Sequence, residues 1–235
     1  MQTKQAIILL GGKGTRISHL YPDLPKALIP VAGKSFLAWQ LDWLFRNNIH
    51  QVLLAAGYKA EKIQAWVKQQ TFKDKIKVMI EKQALGTGGA IKFAGRSLGS
   101  GAFLALNGDS ILPELDFQKM AETHRKSKAS ATIAVAPIEN AGRYGTVLFD
   151  NAGRIIKFEE KKSRTAGWVN GGVYLIEKRL LDVMPSNKMV SLEIEIFPRL
   201  AADGKLSVFQ CAPPLLDMGT PEGLKNTENY LRASP

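Results

Sequence analysis

A glycine-rich turn near the start of the chain has the residue types needed to hold a phosphate group. The turn Gly11-Gly12-Lys13-Gly14-Thr15-Arg16 directly follows an apolar run, residues 6–10. Its closely spaced glycines allow the backbone to approach an anion, so that successive N–H groups can donate to phosphate oxygens. Two better-known phosphate motifs do not fit, because Ile17 and Leu28 stand where the dinucleotide pattern and the P-loop pattern need glycine. The turn therefore predicts phosphate binding of another kind.

Further along the chain, charged groups stand where they could face a bound anion. Lys26 lies between Pro25 and Pro30, in a stretch that the prolines stiffen. Asn107-Gly108-Asp109 follows an apolar run and leads into a loop that contains proline. A second glycine-rich turn, residues 85–90, precedes a predicted helix. Each feature taken alone also fits a structural role, as an exposed lysine, a hairpin turn or a plain strand-to-helix connection.

The elements that must position these residues alternate in the first half of the chain. Apolar runs predict buried strands, and amphipathic segments predict the helices between them. The predicted strands cover residues 6–10, 52–56, 76–80 and 102–106, and the predicted helices cover residues 36–45, 61–67 and 88–97. Repeated strand–helix–strand units with fully apolar strands indicate a parallel sheet covered on both faces. Ligands bind at the carboxyl ends of such strands, where the first glycine turn and Asp109 both lie.

The second half of the chain is richer in short strands. Strands are predicted at residues 131–135, 145–149, 155–158 and 173–176, and helices at residues 191–202 and 222–231. Asn151-Ala152-Gly153 predicts a hairpin turn between two of these strands. No linker, repeat or low-complexity segment separates the halves. We therefore predict one α/β domain over residues 1–235, with halves at 1–110 and 111–235. Its sheet is expected to be Rossmann-like, mixed but mostly parallel, flanked by helices and joined to a small β-rich portion.

Composition restricts the partners that the protein could have. The net charge is +11, but the lysines and arginines are scattered and form no basic tail or aromatic-rich basic motif. This favours small anionic substrates over nucleic acid, whose binding would show as salt-sensitive retention on DNA. No stretch approaches the ~18 apolar residues of a membrane span, so no membrane partner is expected. Cys211 is the only cysteine, which is typical of a reducing compartment, and we expect a cytoplasmic protein.

The motifs taken together resemble those of the sugar-phosphate nucleotidylyltransferase family. The chain has G-G-x-G-T-R, P-K-x-x-x-P-V, L-G-T-G-G-A and N-G-D in the order and spacing of that family, and the later motifs extend the likeness over essentially the whole chain. The later motifs are Arg143-Tyr144-Gly145, Phe158-Glu159-Glu160-Lys161, Asn170-Gly171-Gly172 and Asp217-Met218-Gly219-Thr220. Within the family, the motifs are most similar to those of D-glycero-α-D-manno-heptose 1-phosphate guanylyltransferases. The chain departs from the pattern at Ala84, where many relatives have proline, and at Leu10, where alanine is usual.

This resemblance implies a group-transfer reaction between two anions. An oxygen of a sugar 1-phosphate attacks the α-phosphorus of a nucleoside triphosphate, and pyrophosphate leaves, so cations and a metal ion are needed to neutralise charge. Arg16 and Lys26 are the implied catalytic residues, in contact with the triphosphate. Asp109 and Asp217 are the implied ligands of Mg²⁺, the expected cofactor, which prefers oxygen ligands. Without the other motifs, both aspartates would be taken for turn or cap residues.

The resemblance also implies which residues hold the two substrates, a nucleoside triphosphate in the half 1–110 and a sugar 1-phosphate in the half 111–235. The nucleotide-binding residues would be Leu10, Gly11, Gly12, Gly14, Thr15, Glu81, Gly86, Thr87 and Gly88. The sugar-phosphate-binding residues would be Asn107, Tyr144, Gly145, Glu160, Lys161, Asn170, Gly171 and Glu193. Among these, Lys161 is expected on the phosphate group. For Glu193, a solvated glutamate on a helix is an equal alternative.

Glu81 indicates the base of the nucleotide. It ends the third predicted strand, where members of the family contact the base. A carboxylate there can accept from guanine N1–H and from the exocyclic amine together, whereas uracil and thymine each offer one ring donor. We therefore expect GTP as the nucleotide.

Other substrates and another class of protein remain as alternatives. The chain could be a mannose-1-phosphate guanylyltransferase, or a uridylyltransferase acting on N-acetylmuramate 1-phosphate or a hexose 1-phosphate. It could also be a non-catalytic module that senses nucleotide sugars, although the intact set of charged residues favours an enzyme. Magnesium-dependent release of pyrophosphate would distinguish the enzyme from the module. The sequence does not distinguish a monomer from a homodimer.

Overall fold

The computed structural model describes residues 4–139, 141, 145–159, 166–186 and 188–233. Within these ranges the chain forms a nine-stranded mixed sheet that receives strands from both halves of the sequence. The strands of this sheet are β1 (Gln5–Leu10), β4 (Gln51–Ala56), β5 (Ile76–Ile80), β6 (Ala102–Asn107), β8 (Ala131–Ile138), β9 (Thr146–Phe149), β10 (Ile155–Glu159), β11 (Gly167–Glu177) and β12 (Leu206–Gln210). Two small antiparallel pairs lie outside it, β2 (Pro30–Val31) with β3 (Lys34–Ser35), and β7 (Ser110–Ile111) with β13 (Leu216–Asp217).

The strands that the first half contributes to the nine-stranded sheet are all parallel. The order is β6-β1-β4-β5, with Ile8 of β1 opposite Leu54 on one side and Leu106 on the other. Both faces of β1, β4 and β6 are largely buried, which explains why their sequences are apolar without alternation, whereas β5 at the edge of the sheet is only partly buried. Ile7 and Ile8 are both fully buried but belong to core clusters on opposite faces of the sheet. The carboxyl ends of these strands meet at one edge, and the turns that follow them form the site described below.

The strands of the second half join the same sheet mainly through β11. This long strand runs antiparallel to β6, β8 and β9, while β12 runs parallel to β8. The pairing of β11 with β8 shifts register between Asn170 and Val173, where Gly172 has a φ of +73°. A non-glycine residue would be strained there. The resulting irregularity lies beside the carboxyl end of β6 and places Asn170 and Gly172 next to Asn107.

Helices cover both faces of the sheet. They are α1 (Phe36–Arg46), α2 (Ala60–Lys68), α3 (Gly86–Gly95), α4 (Phe117–Ser127), α5 (Leu180–Val183), α6 (Phe197–Ala202) and α7 (Pro221–Ala233). Ser35 caps α1 by accepting from the N–H of Ala38 at 3.3 Å, as expected for serine at a helix start. Among the described residues, no helix is long and apolar enough to cross a membrane.

The predicted Rossmann-like mixed sheet flanked by helices is confirmed, with local differences. The helix predicted over residues 191–202 begins as a π-helical turn, Leu192–Ile196, and continues as α6. The sequence prediction also missed α4 and β12. The reason for α4 is its polarity, because only Met120 and His124 of this helix are buried and a weak apolar stripe gives little periodic signal.

Candidate functional site

A cleft of about 480 Å³ opens at the carboxyl ends of β1, β5 and β6. The turns that follow these three strands supply most of its wall, as expected for a parallel sheet. The cleft is lined by Leu9, Leu10, Gly11, Gly12, Gly14, Thr15, Arg16, Pro25, Lys26, Ala27, Glu81, Ala84, Leu85, Gly86, Thr87, Ala90, Asn107, Gly108, Asp109, Met189 and Gly219. Most of the nucleotide-binding residues predicted from the sequence therefore share one cleft with both predicted catalytic residues.

The first glycine-rich turn packs closely against the segment that carries Lys26. Gly14 has a φ of +60°, and a Cβ added to it would lie 3.1 Å from Cβ of Lys26. A side chain at this position would be both strained and crowded. After Gly14 the chain turns back on itself, because Ile17 and Ser18 both donate their N–H groups to the Gly14 carbonyl. This turn leaves Gly11, Gly12 and Thr15 exposed at the mouth of the cleft.

Four charged side chains converge at one end of the cleft. Lys26 Nζ donates to Asp109 Oδ2 at 2.5 Å, and this pair is partly buried. A Cβ added to Gly219 would lie 2.8 Å from Asp217 Oδ1, 3.2 Å from Arg16 Nη2 and 3.5 Å from Lys26 Nζ. The absence of a side chain at Gly219 thus leaves room for Asp217, Arg16 and Lys26 to approach one another, and Lys26 brings its partner Asp109 into the same cluster. Such a mixed cluster can bind a polyphosphate together with a divalent cation.

Pairing of two short strands brings the two aspartates together across more than 100 positions of sequence. Asp217 of β13 lies opposite Ser110 of β7, and the N–H of Met218 donates to the Asp109 carbonyl at 3.0 Å. Asp217 Oδ1 also accepts from the N–H of Gly219 at 2.6 Å, and Asp109 Oδ1 accepts from Ser110 Oγ at 3.1 Å. Both carboxylates are therefore held in fixed orientations toward the cluster.

The two carboxylates match the ligands that Mg²⁺ uses in nucleotide enzymes. Mg²⁺ is bound by one or two carboxylates, and waters and substrate phosphates complete its octahedron. Among the described residues there is no group of three or more His, Cys, Asp or Glu side chains that could form an all-protein metal cage. Asp109 and Asp217 at this end of the cleft therefore fit a magnesium ion that arrives with the nucleotide better than a resident structural metal.

Glu81 presents a buried carboxylate to the cleft. Its side chain lies beside Gly11, where an added Cβ would be 3.4 Å from Oε1, and the residue is only 9% exposed. Oε2 accepts a long hydrogen bond from the N–H of Leu85 at 3.4 Å, while Oε1 has no donor among the described residues. Burial raises the pKa of this carboxyl above its ordinary value, and the Leu85 N–H opposes the shift. A buried acceptor without a donor is costly, and a ligand with two N–H groups would satisfy it.

The second glycine-rich turn forms backbone hydrogen bonds with Val190, in the second half of the chain. Val190 donates its N–H to the Leu85 carbonyl at 2.8 Å and accepts from Gly88 N at 2.8 Å and Gly89 N at 3.3 Å. These amides at the start of α3 would otherwise be free to bind an anion. Gly88 is buried beneath Val190 and does not line the cleft. Of the glycines predicted in this turn, Gly86 alone reaches the cleft wall.

The predicted sugar-binding residues are only partly brought to the cleft. Asn107 lines the cleft. Glu193 is not one of the lining residues, but it contacts one of them, because the hydroxyl of Thr87 donates to Glu193 Oε2 at 2.7 Å. Asn170 uses its side chain within β11, donating to Tyr174 OH at 3.0 Å and accepting from Gly172 N at 2.9 Å.

The remaining predicted sugar-binding residues lie away from the cleft or outside the described ranges. Gly171 packs against Leu112 in the core, and Gly145 is exposed immediately before β9. Tyr144, Glu160 and Lys161 lie outside the described residues.

Several residues in or beside the cleft were not predicted to belong to the site, and three of them are informative. Gly219 follows Asp217 in a motif that the sequence displays, and Tyr174 follows Asn170-Gly171-Gly172 in the same way. Both could have been inferred from their motifs. Met189 lines the cleft and is 68% exposed, but an isolated methionine in a loop gives no sequence signal. Its position depends on the backbone pairing of Val190 with the glycine turn.

Comparisons with known proteins agree with this geometry. Two curated relatives are D-glycero-alpha-D-manno-heptose 1-phosphate guanylyltransferases. The one from Aneurinibacillus thermoaerophilus is 33% identical over 97% of this chain and 98% of its own length. The one from Campylobacter jejuni is 35% identical over 93% of this chain and 96% of its own length. The crystal structure of HddC from Yersinia pseudotuberculosis, complexed with GMP-PN, superposes with a TM-score of 0.85 at 27% identity, covering 97% of this chain and 100% of that one. The nucleotidyl transferase family model matches residues 5–234, and the chain belongs to the nucleotidyl transferase family.

Proposed function

We propose that the protein is a magnesium-dependent guanylyltransferase that joins GTP to D-glycero-α-D-manno-heptose 1-phosphate. The observation that carries this proposal is the convergence of Arg16, Lys26, Asp109 and Asp217 near Gly219, at one end of a cleft edged by the first glycine-rich turn. The choice of heptose and guanine is supported by the two guanylyltransferase relatives. The product would be a GDP-sugar for the synthesis of cell-surface glycans. A cytoplasmic location would supply the enzyme with GTP.

The reaction requires charge neutralisation and alignment more than covalent chemistry. A phosphate oxygen of the sugar phosphate forms a bond to the α-phosphorus of GTP, and the bond from that phosphorus to pyrophosphate breaks. Arg16 and Lys26 would neutralise the negative charge that develops on the α-phosphate and on the leaving pyrophosphate. Asp109 and Asp217 would hold the metal ion. When bound, Mg²⁺ supplies further positive charge to the phosphates and helps to orient them.

The two halves of the chain would divide the substrates between them. The first glycine-rich turn and the 85–87 segment would hold the nucleotide, with backbone N–H groups directed to its phosphates. Asn107 and Glu193 would contact the sugar. Lys161 would bind the phosphate of the sugar 1-phosphate, and Tyr144 and Glu160 would complete the sugar site.

A substrate screen tests this function directly. The purified protein is incubated with Mg²⁺, each of the four ribonucleoside triphosphates or dTTP, and a set of sugar 1-phosphates that includes heptose, mannose, N-acetylmuramate and glucose. Released pyrophosphate is measured. The proposal predicts the highest kcat/KM for GTP with the heptose 1-phosphate. A preference for mannose 1-phosphate would change the sugar, a preference for UTP or dTTP would change the base, and no release in any combination would favour a sensing module.

We predict that Glu81→Gln weakens the recognition of guanine. The carboxylate offers two acceptor oxygens to the N1–H and amino groups of guanine, while glutamine offers one acceptor and an amide that repels the second donor. Loss of a charge-assisted hydrogen bond should raise the KM for GTP about tenfold or more and improve the relative use of UTP. Glu61→Gln makes the same change at an exposed position of α2 and should leave both constants unchanged. An unaltered GTP-to-UTP ratio in Glu81→Gln would contradict the assignment.

The pH dependence of GTP binding gives the same residue a second test. The pKa of Glu81 is raised by burial, so the side chain is protonated over a wider acidic range than an exposed glutamate. Only the ionised form can accept both guanine donors. GTP affinity should therefore increase as the pH rises through the pKa of Glu81, which lies above the ordinary glutamate value of 4.5. Isothermal titration calorimetry should show this rise in the wild-type protein and not in Glu81→Gln.

A further inference from the structure

The segment 188–193 contacts the second glycine-rich turn through its backbone and through the side chain of Glu193. Val190 forms backbone hydrogen bonds to the turn, and the carboxylate of Glu193 accepts hydrogen bonds from two hydroxyl groups, one of this segment and one of the turn. Glu193 Oε2 accepts from Thr87 Oγ1 at 2.7 Å and from Ser191 Oγ at 2.8 Å. Thr87 lies in the nucleotide half and lines the cleft, so this contact joins the two halves at the side-chain level.

The Thr87 hydroxyl uses its only proton and one of its two acceptor lone pairs within the protein. It donates to Glu193, and it accepts from the N–H of Leu192 at 2.8 Å. Leu192 is completely buried, so its N–H has no access to water. With its only proton engaged, this hydroxyl cannot donate to a nucleotide at the same time. The arrangement points to a role for the Thr87 side chain besides the nucleotide contact predicted from the sequence.

The two oxygens of the Glu193 carboxylate differ in how firmly they are held. Oε2 has two short hydrogen bonds, whereas Oε1 has one long bond from Tyr174 OH at 3.4 Å. Tyr174 is fully buried and in turn accepts from Asn170 Nδ2. Burial and the nearby Glu193 both raise the pKa of Tyr174, so its hydroxyl remains a donor. Oε1 consequently keeps acceptor capacity for a hydroxyl of a bound substrate.

We infer that Thr87 is a positioning residue that holds Glu193 in the orientation needed to accept from a hydroxyl of the sugar. The hydroxyl of Thr87 fixes one carboxylate oxygen and thereby directs the other toward the sugar, although Thr87 itself belongs to the nucleotide-binding turn. This inference rests on the proposed transfer reaction but not on the identity of the base or the sugar. The variants are therefore assayed with whichever substrate pair the wild-type enzyme turns over.

The test compares Thr87→Val with Thr87→Ser. Valine keeps the shape of threonine but can neither donate to Glu193 nor accept from Leu192, while serine keeps the hydroxyl. Thr87→Val should raise the KM for the sugar 1-phosphate about tenfold, the usual order for one lost hydrogen bond to a charged group. The Kd for the nucleotide, measured by calorimetry without sugar phosphate, should stay within about twofold of wild type. Thr87→Ser should restore the KM. Thr71→Val, the same change at an exposed position outside the cleft, serves as the matched control.

Other results would overturn the inference. An equal rise in the nucleotide Kd would mean that Thr87 contacts the nucleotide directly, and an unchanged sugar-phosphate KM would mean that Glu193 does not need the hydroxyl. If Thr87→Val does not fold, Ser191→Ala decides the question, because it removes the other hydroxyl that donates to Glu193 Oε2. The inference requires a raised sugar-phosphate KM in this variant too, with an unchanged nucleotide Kd. A preference of the wild-type enzyme for another base or sugar would revise the proposed function and leave this test intact.

Discussion

Replacement of Arg16 by alanine is expected to lower kcat by roughly 10²–10³ with a much smaller change in the KM for GTP. Arg16 Nη2, Lys26 Nζ and Asp217 Oδ1 all lie within 3.5 Å of the position that a Cβ of residue 219 would occupy. A guanidinium in this place can stabilise the charge that appears on the α-phosphate and the pyrophosphate only as the bond breaks. An interaction that is strongest in the transition state affects kcat more than substrate binding. Steady-state kinetics with saturating sugar phosphate, followed by pyrophosphate release, measures this effect.

Two matched variants make the Arg16 result interpretable. Arg125→Ala removes the same side chain from an exposed position on α4, outside the cleft, and should leave kcat unchanged. Arg16→Lys keeps a positive charge but loses the planar pair of donors, so it should recover part of the lost rate. If Arg16→Ala instead raised only the KM for GTP and left kcat intact, the residue would contribute uniform binding, and its catalytic assignment would be wrong.

The sequence predicts the first half of the fold well because its signals are local. The strand predicted over residues 76–80 is found as Ile76–Ile80, and the helix predicted over 36–45 is found as Phe36–Arg46. Continuous apolar runs and amphipathic spacing reflect burial directly. The same logic placed Glu81 and Asp109 at strand ends, where the cleft is. These predictions need only the rule that ligands bind at the carboxyl ends of parallel strands.

The contacts between distant segments could not be predicted in this way. Nothing in the composition of residues 216–217 shows that they pair with Ser110–Ile111, and Asp217 entered the candidate site only through its motif. The backbone hydrogen bonds of Val190 to the second glycine-rich turn do not depend on its side-chain type. They determine, however, that Gly88 is covered and that the hydroxyl of Thr87 faces Glu193. Backbone pairing between segments separated by about a hundred residues leaves no periodic pattern of apolar residues in the sequence. Only the structure reveals such pairing.

The second large effect is expected for Asp109→Asn, which should abolish most magnesium-dependent turnover. Asp109 and Asp217 are held beside each other by the pairing of β7 with β13. Asparagine keeps the shape of aspartate but removes one of the two negative charges that would attract Mg²⁺. Loss of several kcal/mol of charge stabilisation corresponds to a decrease in kcat of roughly 10³. The Mg²⁺ concentration needed for half-maximal activity should rise as well. Activity measured over a range of Mg²⁺ concentrations separates the two effects.

Asp109 also pairs with Lys26, so the variant must be shown to retain the fold and the position of the lysine. Circular dichroism and thermal melting should match wild type, because the carboxylate is partly exposed and Ser110 can still donate to the amide oxygen of asparagine.

Asp203→Asn, the same change at an exposed position after α6, should leave turnover and its Mg²⁺ dependence unaltered. Asp217→Asn keeps an acceptor for the N–H of Gly219 and should reproduce the loss. If Asp109→Asn retains Mg²⁺-dependent turnover within about tenfold of wild type, Asp109 is not a ligand of the ion. The pair with Lys26 would then be its main role, a smaller contribution of the size of a charged hydrogen bond.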